Sequence, residues 1–207
     1  MLVKAFYQIS MNNRQRITKR AFDIIFSLLG LIVLWWLIVL AAIMASIETK
    51  SLGLFIQYRV GRNGKLFPLF KIKTMRDSVN ESTVTTGNDK RITALGKFWR
   101  KTKIDELPQL INVLLGQMSF VGPRPDVEGF ADKLTGENRI ILSIRPGITG
   151  PASLKYRNEE ELLADKANPE EYNRKIIWTD KVRINKEYIE NYSFYKDLYY
   201  IYKTIVH

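Results

Sequence analysis

The 207-residue chain contains no cysteine, and its one histidine is the terminal His207. The first absence excludes disulfides, thiolate nucleophiles, Cys-ligated zinc and iron–sulfur clusters. The second argues against Ser-His-Asp hydrolysis, imidazole acid/base work and poly-histidine metal sites. Chemistry is left to carboxylates, cations, hydroxyls and the backbone. Two further absences are local: the 24 residues from Ile24 to Ile47 carry no charge, and no proline lies between Asp23 and Glu48. As a helix rising about 1.5 Å per residue, such a run reaches roughly 36 Å, enough to enter a bilayer. It is too long for a signal-peptide core and no A-x-A-like site closes it. No second run of this kind exists, and a hydrophobic share of 46% is ordinary for one folded domain, so a polytopic membrane protein does not fit.

The charge is present in excess and unevenly placed. Against 32 Lys and Arg stand 21 Asp and Glu, a net charge of +11. From Lys50 to Lys103 there are thirteen cations and three anions, whereas Ile104 to His207 carries fourteen and sixteen. An anionic partner for the first half follows: a phosphate-bearing ligand, an anionic lipid surface or nucleic acid. With no RNP, KH or helix-turn-helix signature, nucleic acid is not expected.

The patterns predict an α+β fold in three parts: a basic interfacial segment over 1–20, a membrane-inserted helix over 21–47, and a small, mainly helical domain over 48–207. Arg14, Arg16, Lys19 and Arg20 read as anchors on headgroup phosphates. Trp35 and Trp36 fall in the middle of the apolar run, where a straight span would hold their indole N–H groups at the bilayer centre. Within about twenty residues of the run the flanks carry four cations each, so the positive-inside rule selects no side. Together these predict a re-entrant helix, bent between Gly30 and Trp36, with a cytoplasmic N-terminus. Leu54–Val60 and Leu66–Met75 alternate with period two around Asn63-Gly64, which predicts a β-hairpin with Lys71 and Lys73 on one face. Asp77 to Asn88 reads as a polar loop. Ile92, Leu95, Phe98 and Trp99 have helical spacing, with Lys97, Arg100 and Lys101 on other faces, as in an interfacial amphipathic helix. Ile104 to Gly116 predicts a helix with Asp105 as N-cap and a buried face of Leu107, Leu110, Ile111, Leu114 and Leu115. A second amphipathic helix, striped with tyrosine, is expected from Tyr188 to Val206.

The residues able to do chemistry are few. Asp105 and Glu106 sit where a helix begins, and an acidic pair there is more often a cap than a site. Arg124 stands between Pro123 and Pro125, and Arg145 precedes a Pro146-Gly147 turn, so both guanidiniums are on stiff loops. Two carboxylates, two rigid arginines and lysines on a nearby strand make a phosphoryl-transfer site plausible. The pair can hold Mg²⁺, or one carboxylate can attack phosphorus itself.

Four ordered stretches, Lys71-Ile-Lys-Thr-Met75, Asp105-Glu-Leu-Pro-Gln-Leu110, Met118-Ser-Phe-Val-Gly-Pro-Arg-Pro125 and Arg145-Pro-Gly-Ile-Thr-Gly150, resemble the monotopic phosphoglycosyl transferases, a family of bacterial sugar transferases, in their small single-domain form. The resemblance implies transfer of a sugar phosphate from a UDP-sugar to polyprenyl phosphate, with release of UMP, at the cytoplasmic face of the bacterial inner membrane. It implies Asp105 as nucleophile, Glu106 as its partner in placing Mg²⁺ and the acceptor, Arg124 and Arg145 on substrate phosphates, and Lys73 and Arg59 as basic residues lining the site. The expected partners are the UDP-sugar, polyprenyl phosphate and the phospholipid bilayer. An N-acetylated sugar is the expectation, and a homo-oligomer is compatible with the pattern. Where the family commonly has Ser-Pro midway through the membrane helix, this chain has Trp35-Trp36. The rival readings are a lipid-linked phosphatase or hydrolase using the same acidic pair, and a non-catalytic module for anionic membranes.

Overall fold

The computed structural model describes residues 11–77, 89 and 91–206. The expected segment over 1–20 is therefore described only from Met11, and the loop expected from Asp77 to Asn88 lies, beyond Asp77, outside the described residues. A mixed, helix-rich α+β architecture with one long apolar helix is what the chain forms.

Helix α1 runs from Asn13 to Thr49 and is 37 residues long. Asn12 caps it by accepting from the Gln15 amide, while the Gln15 side chain accepts from the Asn12 amide, so two orphan donors are satisfied reciprocally. The basic segment and the apolar run are thus one helix rather than two parts, and the bend expected between Gly30 and Trp36 does not interrupt it. The reason is local: no proline removes a donor there, and the Ser27 hydroxyl bonds back to the Ile24 carbonyl without opening the ladder. One stripe of α1, Lys19, Asp23, Ser27, Ala41, Ala45 and Thr49, is buried against the rest of the protein. The remaining faces are open, Trp35 and Trp36 among them at 61% and 54% exposure.

Small residues on the stripe let the domain come close along most of the helix. A Cβ on Gly30 would lie 3.1 Å from Leu110, and Ala41 and Ala45 pack with Ile72 and Trp99. Lys19 and Arg20 are not headgroup anchors: buried Lys19 is ion-paired with Asp197 at 2.5 Å, and Arg20 donates to the carbonyls of Val113 and Leu114. Their donors find fixed protein acceptors, which displace lipid phosphates as partners.

Strands β1 (Leu54–Val60) and β2 (Leu66–Ile72) form the antiparallel hairpin, in register from Leu54 opposite Ile72 to Val60 opposite Leu66. Asn63 (φ 60°) and Gly64 (φ 77°) turn the chain through the left-handed region, as the Asn-Gly pair predicts. The second strand is shorter than expected, since Met75 pairs separately with Ile92. Helix α2 (Ala94–Thr102) is capped by Thr93, buries Trp99 and leaves Phe98 exposed.

The helix expected from Ile104 to Gly116 divides into a 3₁₀ turn, Ile104–Glu106, and α3, Gln109–Leu114. Pro108 has no N–H, and the Leu107, Leu110 and Ile111 amides take the tighter i−3 carbonyls instead. Asp105 is accordingly not an N-cap. The tightening also rotates the buried face to Gln109, Leu110, Asn112 and Val113, leaving Ile111 and Leu115 outside.

Two short parallel strands, β3 (Ser119–Val121) and β4 (Gly147–Thr149), set the two Pro-Arg loops side by side. Their backbones touch so closely that a Cβ on Gly147 would lie 2.1 Å from the Gly122 amide nitrogen, which explains glycine at both positions. Helices α4 (Pro151–Lys155), α5 (Glu159–Ala164), α6 (Pro169–Tyr172), α7 (Trp178–Glu190) and α8 (Phe194–Val206) complete the domain. The helix expected from Tyr188 to Val206 is therefore broken: α7 ends at Glu190, and Ser193 opens α8 by accepting from the Lys196 amide. Burying Val60, Val121, Ile141, Leu142, Val182, Tyr188 and Ile189 together makes the main core.

Candidate active site

Lys103, at φ 60°, turns the chain out of α2 directly into the 3₁₀ turn, and this places Asp105 and Glu106 in the interior, 6% and 9% exposed. Two buried neighbouring carboxylates need cations, and they are supplied by two other elements. Arg124, from the loop after β3, donates from Nη2 to Glu106 Oε1 at 2.7 Å. Lys71, from β2, donates to the same oxygen at 3.1 Å.

The two carboxylates end in different states. Burial pushes Glu106 upward, but the charges of Arg124 and Lys71 and the Arg124 hydrogen bond outweigh it and hold the group well below the usual carboxylate range. Asp105 is pushed up, by burial first and by the Glu106 charge, with Lys71, Lys103 and Arg100 opposing. Its Oδ1 is buried with no hydrogen-bond partner. Glu106 is thus an engaged residue whose ionised form two cations favour, and Asp105 a raised one with an oxygen left unpartnered. An oxygen with an unspent lone pair in such a place suits attack on an electrophile, and the neighbouring cations suit the charge on its oxygens.

The remaining expected residues divide. Arg59 reaches the rim: its Nη1 donates to the Pro125 carbonyl at 3.4 Å, and burial and the Arg124 charge lower its pKa. Lys73 is elsewhere, ion-paired with Asp77 at 2.7 Å and bonded to the Ser51 hydroxyl. Because β2 stops at Ile72, the two lysines do not share a strand face, and Lys71 is the one that reaches the acidic pair. Arg145 donates from Nε to the Gly116 carbonyl at 2.7 Å, and the charges that act on it are those of Arg62, Arg20 and Asp23. It braces the end of α3 and is not brought to Asp105. Trp35 and Trp36 stand outward on α1, remote in role from the site.

A third carboxyl escaped the sequence reading. Asp126, next to Arg124's loop, is raised to about 7 by burial, against the charges of Lys181, Arg59 and Arg124. The one available signal was its place directly after Gly-Pro-Arg-Pro.

Among the described residues no group of three or more His, Cys, Asp or Glu could hold a metal. Two adjacent carboxylates, one with an unpartnered oxygen, nevertheless fit Mg²⁺, which keeps several waters and shares its shell with substrate phosphates rather than needing an all-protein cage.

The sequence profile of the family described as bacterial sugar transferase matches residues 14–207. The chain belongs to that family. Among its relatives is a Bacillus subtilis (strain 168) protein provisionally named undecaprenyl-phosphate N-acetylgalactosaminyl 1-phosphate transferase, 41% identical over 71% of this chain and 81% of the relative. The undecaprenyl-phosphate galactose phosphotransferase of Salmonella typhimurium is 32% identical over 91% of this chain. The UDP-glucose:undecaprenyl-phosphate glucose-1-phosphate transferase of Escherichia coli K12 is 32% identical over 98%. This sugar transferase spans 40% and 42% of the length of those last two. Its acidic pair, Pro-flanked Arg124 and Lys71 all lie inside the matched region.

Proposed function

We propose that the protein transfers a sugar 1-phosphate from a UDP-sugar to a polyprenyl phosphate, releasing UMP, as the first membrane step of building a glycan. The observation that carries this reading is the division of labour in the acidic pair: Glu106 is neutralised by Arg124 and Lys71, while Asp105 keeps a buried oxygen without a partner. The names of the relatives supply the acceptor and the group transferred, and the Bacillus subtilis relative favours an N-acetylated sugar.

The chemistry is two displacements at one phosphorus. An Asp105 carboxylate oxygen attacks the β-phosphorus of the UDP-sugar, the bond from that phosphorus to the bridging oxygen breaks, and UMP leaves with the electron pair. A phosphate oxygen of the polyprenyl phosphate then attacks the aspartyl phosphosugar, the bond to Asp105 breaks, and the carboxylate is restored. Arg124 and Lys71 are placed to hold charge on the phosphoryl oxygens, and Glu106 keeps both cations at the site. When bound, Mg²⁺ on Asp105 and Glu106 supplies further neutralisation of diphosphate charge. Arg59 lines the approach. The catalytic domain works at the cytoplasmic face of the bacterial inner membrane, where α1 holds it.

Incubating the purified protein with UDP-sugar, Mg²⁺ and undecaprenyl phosphate tests the reading. Asp105→Asn is expected to lower UMP release by on the order of a thousandfold or more and to abolish covalent labelling by sugar-labelled donor. Near-normal UMP release by Asp105→Asn would sink the mechanism, and free sugar phosphate formed without acceptor would replace it with a hydrolase.

A further inference from the structure

The lysine that reaches the acidic pair and the pair itself belong to separate pieces of chain, and one buried side chain joins them. Lys71 is carried by β2. Asp105 and Glu106 are carried by the 3₁₀ turn leading into α3, where the amides of Leu107, Leu110 and Ile111 bond to i−3 carbonyls and make turn and helix one stiff unit. Asn112 of α3 is 0% exposed, and its side-chain amide bridges the two pieces. Nδ2 donates to the Pro68 carbonyl at 2.7 Å, and Oδ1 accepts from the Phe70 amide at 3.1 Å. Donating to one strand residue and accepting from the next but one is what a residue of a parallel neighbouring strand would do, so the amide stands in for a strand at the edge of β2. Pro68, with no N–H, needs no further partner there.

The bridging amide is itself held. Nδ2 also donates to Gln117 Oε1 at 2.6 Å, and the Asn112 carbonyl accepts from the Gln117 and Met118 amides. Leucine, of similar shape, would bury the Phe70 amide and the Pro68 carbonyl without partners, and aspartate would set an oxygen against the Pro68 oxygen. The pinned residue, Phe70, directly precedes Lys71, whose Nζ meets Glu106 Oε1 at 3.1 Å. A closed ring of contacts results, from Glu106 through α3, Asn112, Phe70 and Lys71 back to Glu106. A lysine on a flexible four-carbon stem does not select its partner alone, and the ring fixes the distance it has to span.

We propose that Asn112 is a positioning residue for the phosphoryl-transfer site: by locking β2 to α3 it sets the spacing at which Lys71 meets Glu106 and is available to substrate phosphates. Fully buried, it acts through Lys71 and not on a substrate. The kinetic consequence rests on the transfer reading given above, whereas the spacing itself is tested without turnover.

The first measurement is acetylation of the full chain in detergent by acetic anhydride, read lysine by lysine by mass spectrometry. In Asn112→Asp, labelling of Lys71 is expected to rise several-fold, while Lys181, similarly shielded and paired with Glu159, keeps its labelling. Unchanged labelling of Lys71 overturns the proposal, and so does an equal rise at Lys181, which would mean general loosening. The second is a double-mutant cycle on UMP release. Asn112→Asp alone is expected to lower kcat by on the order of tenfold to hundredfold, as small displacements at a reacting centre do, with KM changed by less than about threefold. In a Lys71→Met background the same substitution should cost less than about threefold, because the group it positions is gone. Equal losses in the two backgrounds make Asn112 an ordinary core residue and overturn the proposal. Should Asn112→Asp fail to fold, Gln117→Leu, which frees the amide to turn, takes its place in both measurements. A protein that releases no UMP at all refutes the transfer reading, and the labelling then decides alone.

Discussion

Asp105 is costly to its own fold, and the sign of that cost can be measured. A carboxyl whose folded pKa is raised contributes stability that is fully present below its unfolded pKa and is lost as pH rises through the folded pKa. At neutral pH, without substrate or metal, the ionised form works against folding, so Asp105→Asn is expected to raise Tm while it abolishes activity. A thermal melt at pH 7.5 checks this, and an unchanged or lower Tm contradicts it. Lys71 is the cation that most favours ionised Asp105. Its replacement in Lys71→Met should move the acid limb of the kcat/KM profile to higher pH, with a tenfold to hundredfold fall in rate on the acid side. Asp126, raised to about 7, gives a third sign: its stabilising effect is present below about pH 4 and lost as pH rises to about 7, so Tm should fall over that interval and level off above it, and Asp126→Asn should flatten that fall. At this scale the sequence was most legible where stiffness or adjacency is written into it, as in Asp105-Glu106 and Pro123-Arg124-Pro125. It was least legible for Lys71 against Lys73, because the two differ only in which side of the end of β2 they fall. Arg145 shows the same limit: a rigid loop predicts a fixed guanidinium, yet not which carbonyl it will meet.

Among the elements, α1 and α8 depend on each other through one buried carboxylate. Asp197 is 2% exposed and accepts from Lys19, Tyr188 and Tyr192. Asp197→Ala leaves a buried ammonium without its counter-charge, which costs about 3–5 kcal/mol. Asp197→Asn, which keeps an acceptor, should cost less. Denaturant unfolding in detergent measures both, and equal, small losses would show that Lys19 finds another partner. The elements themselves were read with uneven success, for reasons that can be traced. The hairpin was legible because Asn63-Gly64 fixes both the turn and the register. The tyrosine period from Tyr188 ran straight through Asn191, Tyr192 and Ser193, so period alone hid the break between α7 and α8. The segment after Ile104 has apolar spacing for one face, but Pro108 imposes 3₁₀ bonds that turn a different face inward. The parallel pairing of β3 with β4, which fixes the start of the Arg124 loop, joins Ser119 to Gly147 across a long stretch of chain and leaves no local pattern.

For the whole molecule the open choice is how α1 sits in the bilayer, and its contacts bear on that choice. The domain is packed against α1 at Lys19 and Asp23, at Gly30, and again from Ile38 to Ala45. Leu110 meets Gly30, and Ile104 packs beside Ala41 and Ala45, so the turn bearing Asp105 and Glu106 runs alongside the middle of the apolar run. Were α1 to cross the bilayer upright, that turn, with Lys71 and Arg124, would lie at hydrocarbon depth, where ionised groups are expensive and no nucleotide could reach them. An orientation that keeps both ends of α1 on the cytoplasmic side removes the conflict, and it also returns Trp35 and Trp36 toward the interface. The equal charge of the two flanks agrees, since neither end then has to leave its cations on the far side. The absence of cysteine makes the test clean. Single cysteines in place of Asn13 and Lys50, both exposed and at opposite ends of α1, are expected to be shielded alike from a membrane-impermeant maleimide in intact spheroplasts and labelled alike after lysis. Labelling of one position but not the other in intact spheroplasts would establish a crossing helix, and the turn bearing Asp105 and Glu106 would then lie out of reach of a water-soluble substrate.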